Sequence, residues 1–360
     1  MKAALCYEFG KPLVIEDIDI RPPGKGEVKV RLATTAVCHS DIHAFRGELP
    51  MELPAIGGHE SAGYIDELGE GVTRVKAGDP VVASTLTSCG KCFFCVTGRP
   101  HLCEAEWARD KESPYKNKKG QSVLQMFRIG TFAEYTILDE SQVVKVPDDM
   151  PLDRASLLAC GVITGFGAVV NRAKVEVMSS CVIIGVGGVG LNAVQGASIS
   201  GANPVIAVDI NDAKLEAART FGATNTVNSS KIDAIEAVKE LTGGRGVDYV
   251  FVTVGNAKAM EQGFAMSGPR GMTVMVGLPY YKDTITFQSF PFIMGERMLT
   301  GSFMGTTHLQ NDIPRMVKLY QQGILKLDEL ITGRYPLDKI NEAIEAVIKG
   351  EALRNVIMFQ

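Results

Sequence analysis

Along residues 1–100 the apolar positions come in short runs broken by Gly and Pro, at 28–32, 63–68 and 80–83. Such runs predict an irregular, mainly antiparallel β domain. From about residue 162 strand and helix patterns alternate instead. β-Branched runs at 181–184 and 205–208 bracket a glycine turn and a helix, and 212–221 reads as another helix. Apolar runs at 249–254 and 273–276 each follow a helical pattern, at 232–242 and 259–266. Repeated βα units predict an open parallel sheet with helices on both faces. Beyond about 304 the pattern is helical again and ends in a strand-like segment at 355–359, expected to return to the first domain.

Residues 177–208 contain no Asp, Glu, Lys or Arg, a stretch longer than the ~20 residues of a membrane span. Six glycines and Pro204 interrupt it, so two buried parallel strands flanking a helix account for it better. No membrane partner is expected. The first residues lack the apolar core of a secretory signal, which predicts a cytoplasmic protein. At 360 residues, 46% hydrophobic, the chain has room for about two domains without disulfide staples. Its net charge of −4 offers no basic footprint for nucleic acid.

Four of the eight cysteines, Cys89, Cys92, Cys95 and Cys103, share one window with the spacing C-x2-C-x2-C-x7-C. In a chain without a secretion signal such a cluster points to metal rather than disulfides. Four soft thiolates suit a closed tetrahedral, structural Zn²⁺, and an iron–sulfur cluster uses the same donors. Cys38, His59 and Cys160 are dispersed. Two thiolates and one imidazole would form a catalytic Cys2His zinc site with one vacant position. Taken singly, Cys160 reads as a small buried hydrophobe and His59 as a surface or hydrogen-bonded histidine.

Gly185, Gly187 and Gly190 fit G-x-G-x-x-G, with Gly188 and Val189 between. The motif follows a predicted strand, opens a helix, and is followed by Asp209 at the end of the next strand. Glycines there allow a tight turn and close approach of a pyrophosphate to the helix N-terminus. Asp209 can accept hydrogen bonds from ribose hydroxyls and would repel a 2′-phosphate, which favours NAD over NADP.

Together these motifs, with G-H-E-x-x-G at 58–63, resemble the zinc-dependent medium-chain alcohol dehydrogenase family over almost the whole chain. The resemblance implies an α/β protein. A GroES-like, β-rich catalytic domain would span 1–161, carry a structural zinc lobe at 89–103, and be completed by 304–360. A Rossmann domain with a doubly wound parallel sheet would bind NAD over 162–303.

The resemblance promotes Cys38, His59 and Cys160 to expected ligands of a catalytic zinc, making two zinc ions per chain. It places Glu60 near that metal and gives Asp41 the role of orienting the His59 ring. Ser40 and His43 resemble a proton relay. His39, Thr164, Lys214, Val254, Val276 and Arg354 join the glycine turn and Asp209 as expected cofactor contacts. His39 stands where many members have arginine.

The implied reaction is reversible oxidation of a primary or secondary alcohol to an aldehyde or ketone by hydride transfer to NAD. Thiol-dependent formaldehyde oxidation is an alternative of the same chemistry. A non-catalytic NAD-binding redox sensor is the alternative from another class. Zinc-free quinone or enone reduction is opposed by the presence of Cys38, His59 and Cys160. The long connection at 104–130 resembles that of dimeric members, which implies a homodimer and leaves a homotetramer open. Five cationic residues between Arg109 and Lys119, against Asp110 and Glu112, suggest a stretch that would steer an anionic alcohol.

Overall fold

The computed structural model describes residues 1–359. It divides into two compact units, one of Met1–Cys160 with the segment from His308 onward, the other Gly161–Thr307.

The first unit is built mainly on antiparallel strands. Strand Glu27–Ala36 is its centre, pairing with Glu60–Leu68, Tyr135–Asp139 and Arg354–Met358. Alternation in that strand is clear: Val28, Val30 and Leu32 are buried with Ile65, Val81 and Leu138, while Lys29 and Arg31 point away from this core. The terminal strand joins by opposing Val356 to Ala36 and Ile357 to Thr35. A second core forms where Ala3–Cys6, Phe45, Ile56, Tyr115 and Phe132 meet Ile340, Ala343 and Val347 of helix Ile340–Ile348.

In the second unit six parallel strands run in the order Asn225–Asn228, Val205–Asp209, Cys181–Ile184, Val247–Val252, Ser267–Met275 and Met298–Gly301. This is the doubly wound arrangement, in which the sequence runs outward from the strand Cys181–Ile184 first one way and then the other. All four residues of that strand are buried, which requires cover on both faces. The helices start at readable caps: Asn211 accepts from the N–H groups of Ala213 and Lys214, and Asp233 from those of Ile235 and Glu236. The uncharged 177–208 stretch forms two strands of this sheet and helix Gly188–Ile199 between them. Among the described residues no helix is long and apolar enough to cross a membrane.

The 104–130 connection is more structured than its charge suggests. It holds a short helix, Ala108–Lys111, and a strand pair, Tyr115–Lys116 with Ser122–Gln125. Buried Tyr115 donates its hydroxyl to Thr136 Oγ1 at 2.9 Å. The expectation of a wholly exposed cationic stretch is corrected at Arg109, while Lys116 and Lys119 are exposed. The Arg109 side chain is only 2% exposed and points inward, Lys111 pairs with Glu106 at 3.0 Å, and Lys118 pairs with Asp17 at 3.4 Å. Arginine among lysines reads as surface, but its flat guanidinium can satisfy several buried carbonyls at once.

Candidate metal centre and dinucleotide site

The four-cysteine lobe folds around two short turns, Phe93–Val96 and Pro100–Leu102. Its sulfurs converge, with Cys89 4.0 Å from Cys95 and Cys92 3.9 Å from Cys103, and all four fall within 4.8 Å of one another. Backbone N–H groups of Cys95 and Glu104 pull the Cys92 thiol down to about 6. Burial and the neighbouring sulfurs push Cys95 up to about 12. One thiolate is thus favoured by the backbone, and its charge opposes the next until a cation is shared.

A second cluster lies wholly within the first unit. Cys38, His59, Glu60 and Cys160 are all buried and bring one ligand atom each within 4.8 Å of the others. Cys38 caps helix His39–Phe45, and Asp41 in that helix's first turn does three jobs. Its carboxylate accepts from the Cys38 N–H at 3.1 Å, from the Gly58 N–H at 2.9 Å, and from His59 Nδ1 at 3.0 Å. Because the carboxylate can only accept, Nδ1 carries a proton toward Asp41, and Nε2 is the nitrogen that would face a metal on giving up its own proton, which Asp41 and Cys38 otherwise favour.

Cation chemistry fits the donors. A hydrogen bond from Cys160 and the charges of His59 and Arg354 outweigh burial and hold the Cys38 thiol well below its ordinary value. The same contact, with burial, pushes Cys160 well above. Burial raises Glu60 to about 8 despite Arg354, and neither of its carboxylate oxygens has a hydrogen-bond partner. Two thiols, an imidazole and a carboxylate that has an ion pair but no hydrogen bond are, in one buried space, donors that a divalent zinc would satisfy.

The other expected residues are placed as follows. Ser40 Oγ is 3.8 Å from Cys38 Sγ, and half-buried His43 is paired through Nδ1 with Glu48. His39 is exposed. Arg354 is buried in the first unit with Nη1 3.3 Å from Glu60 Oε1, so it lies beside the cluster of Cys38, His59, Glu60 and Cys160.

In the second unit the glycine turn sits where the sheet order reverses. Gly185 has φ +83°, and a Cβ there would lie 2.2 Å from Val254 Cγ1. A Cβ on Gly190 would lie 1.8 Å from the Gly185 carbonyl oxygen, so the helix approaches the turn only because both are glycine. Gly187 caps helix Gly188–Ile199, with Val189 in its first turn and no acidic residue there. Asp209 ties the turn to the next strand, accepting from Val186 N–H at 2.8 Å and from those of Ile210 and Asn211 at 2.8 and 3.0 Å. Val254 and buried Val276 follow the next two strands at the same edge. Thr164 is buried in helix Gly161–Gly167. Half-buried Lys214 is in the first turn of the helix capped by Asn211.

One neighbour of the Cys38–His59–Cys160 cluster has no sequence signature. The Phe127 ring meets the His59 imidazole edge-on, centroids 5.2 Å apart at 85°. Phe127 and Arg128 are consecutive left-handed residues, with φ of 53° and 60°. Such conformations cost a bulky side chain about 1–3 kcal/mol each.

Comparison with known proteins matches this architecture. The alcohol dehydrogenase GroES-like domain family matches residues 24–148, and the zinc-binding dehydrogenase family matches 188–322. Putative alcohol dehydrogenase D of Mycobacterium tuberculosis is 39% identical over 99% of both chains. The NDMA-dependent alcohol dehydrogenase of Amycolatopsis methanolica is 38% identical, covering 99% of this chain and 98% of its own. The crystal structure of benzyl alcohol dehydrogenase from Acinetobacter calcoaceticus superposes with a TM-score of 0.93 at 35% identity, covering 100% of this chain and 99% of that one. A two-part α/β protein with GroES-like and Rossmann folds and paired zinc-type donor sets is a zinc-binding dehydrogenase by class. The chain belongs to the zinc-dependent medium-chain alcohol dehydrogenase family.

Proposed function

We propose that this chain is an NAD-dependent zinc alcohol dehydrogenase that interconverts a primary or secondary alcohol and its aldehyde or ketone. The observation that carries this reading is the buried convergence of Cys38, His59 and Cys160 with Glu60. These three residues would hold one zinc with a position left for substrate, and Cys89, Cys92, Cys95 and Cys103 a closed structural one. Bound metal supplies Lewis acidity that makes an alcohol hydroxyl easier to deprotonate, and NAD supplies the hydride acceptor.

The chain's own residues do the rest. Asp41 fixes the tautomer and orientation of His59. Ser40, next to that cluster, accepts the substrate's hydroxyl proton as it gives up its own, and half-buried His43, with Glu48 as its partner, delivers the released proton to solvent. The N–H groups opening helix Gly188–Ile199 bind the pyrophosphate, with Lys214 and His39 as further dinucleotide contacts. Thr164, Val254 and Val276 contact the cofactor's rings, and Arg354 contacts the dinucleotide while remaining the partner of Glu60. Asp209 holds the ribose hydroxyls and disfavours a 2′-phosphate.

The exposed apolar residues Phe290, Ile293 and Met294 lie next in sequence to the sheet-edge strand Met298–Gly301 and support a homo-oligomer. Sedimentation velocity at micromolar protein should show a dimer.

The test is NADH formation by zinc-replete protein over a panel of alcohols including benzyl alcohol, hydroxy acids and thiol adducts of formaldehyde. NADH appearing with a neutral alcohol supports the reading. Turnover confined to the formaldehyde adduct would move it to the thiol-dependent alternative. No turnover with any panel member, with or without added NDMA, sinks it.

A further inference from the structure

We propose that Arg109 is a positioning residue of the metal centre, clamping the left-handed Phe127–Arg128 turn and so holding the Phe127 ring against the His59 imidazole. The proposal rests on Cys38, His59 and Cys160 being that centre.

Arg109 spends its donors on this turn and its surroundings. Nη1 donates to the Arg128 carbonyl and to the Ile137 carbonyl, each at 3.0 Å, and Nη2 donates to Gln142 Oε1 at 2.6 Å. Gln142 in turn donates to the same Arg128 carbonyl at 3.2 Å. The nearby carboxylate of Glu27 is 3.5 Å from Arg109 Nε, but it already has its own two-point partner in Arg21, at 2.5 and 2.9 Å. Glu27 is thus a charge neighbour of Arg109, while the guanidinium's short hydrogen bonds go to Arg128, Ile137 and Gln142.

The turn is gripped from every side. Asp110, the next residue of the short helix, takes the Arg128 Nε at 2.7 Å, and Thr85 Oγ1 donates to the Phe127 carbonyl at 2.6 Å. Both carbonyls of the strained pair are thus held by side chains. Left-handed Phe and Arg persist only where the surroundings over-determine them. Released, the pair would return to the right-handed or extended region and carry the ring away from His59. Asp41 fixes the Nδ1 end of the imidazole, and the perpendicular Phe127 ring packed against it would oppose its rotation. A lysine at 109 keeps the charge but not the planar fork that reaches Arg128, Ile137 and Gln142 together.

The experiment uses full-length protein carrying Co²⁺ in place of zinc at the Cys38–His59–Cys160 centre, because its visible bands report ligand geometry. Arg109→Lys, Phe127→Ala and the double variant are compared for metal content, visible spectrum, melting temperature, and kcat and KM with benzyl alcohol. Arg109→Lys should keep both metals and shift the cobalt bands in the same sense as Phe127→Ala. It should lower kcat about tenfold with a smaller change in KM. The double variant should fall no further than Phe127→Ala alone.

A melting temperature that drops while spectrum and kcat stay at wild type overturns the proposal, as do losses that multiply in the double variant. If Arg109→Lys does not fold, Thr85→Val releases the Phe127 carbonyl without touching a buried charge. It must then reproduce the spectral shift, and an unchanged spectrum there is equally fatal. Wild type that turns over no alcohol would refute the proposed activity, whereas the cobalt bands would still decide the role of Arg109.

Discussion

Asp41 Oδ1 stands 3.0 Å from His59 Nδ1 and 2.9 Å from the N–H of Gly58, so one carboxylate oxygen holds both the His59 ring and the backbone beside it. Its other oxygen caps the Cys38 N–H, tying a second residue of the proposed centre to the same carboxylate.

Asp41→Asn should therefore loosen the centre without emptying it of ligands. A neutral amide still fits but polarises the imidazole less and can present its donor to Nδ1 instead. Zinc affinity at this centre should fall about 10–100-fold while the four-cysteine lobe keeps its metal. Competition with a chelator, followed by counting zinc per chain, reads this directly. Equal loss from both sites would mean that Asp41 supports the fold rather than His59.

The two donor sets should separate on mutation. Cys38→Ser should retain one zinc per chain and lose activity, because the closed lobe does not depend on it. Cys95→Ser should lower the melting temperature and the yield of folded protein, since structural zinc contributes folding free energy directly. Full turnover and two zincs in Cys38→Ser would refute the assignment of the catalytic ligands.

These sites differ in how much of them the chain declares. Cys89 to Cys103 are close in sequence, and their spacing alone implies a metal lobe. Cys38, His59 and Cys160 come from a helix cap, a segment after paired glycines, and the end of a helical turn, so only tertiary folding and family resemblance join them. The alternating run 28–32 and the buried run 181–184 appear as strands because burial sets their period. The apolar run 249–254 outlasts its strand, which ends at Val252, and Val254 lies beyond the ladder against Gly185. Phe127 and Arg109 were illegible. Nothing in their residue types announces a left-handed turn, and a lone arginine in a lysine-rich stretch has the composition of surface.

Cofactor choice should turn on Asp209. Its oxygens are already anchored by three backbone N–H groups, so the charge cannot swing away from an incoming 2′-phosphate. Asp209→Gly with Ile210→Arg should remove that repulsion and supply a cationic partner, reversing the kcat/KM preference from NAD to NADP by at least about tenfold. Ile210 is exposed, so the arginine has room. A wild type that already prefers NADP would contradict the role given to Asp209.

Acid stability offers a test away from both sites. Burial pushes the Asp153 carboxyl upward, but hydrogen bonds and charge from Arg154 and Arg334 outweigh it and leave the group below its ordinary value. Arg154 Nε reaches on to Asp328 at 2.6 Å, and Arg334 Nη2 lies 2.8 Å from Asp153, so the cluster ties helix Leu152–Leu157 to strand Ile331–Pro336. A carboxylate whose folded value is depressed stabilises the protein fully above its unfolded value, about 3.9, and loses that contribution as pH falls through the folded value. Asp153→Asn should consequently melt several degrees below wild type at pH 7, where two arginines lose their shared partner. The gap should narrow steadily as the pH is lowered below about 4, because the wild type is then giving up the same charge. Melting curves of both proteins between pH 3 and 8 check this, and a gap that is constant across that range would assign the loss to packing instead of to the ion pairs.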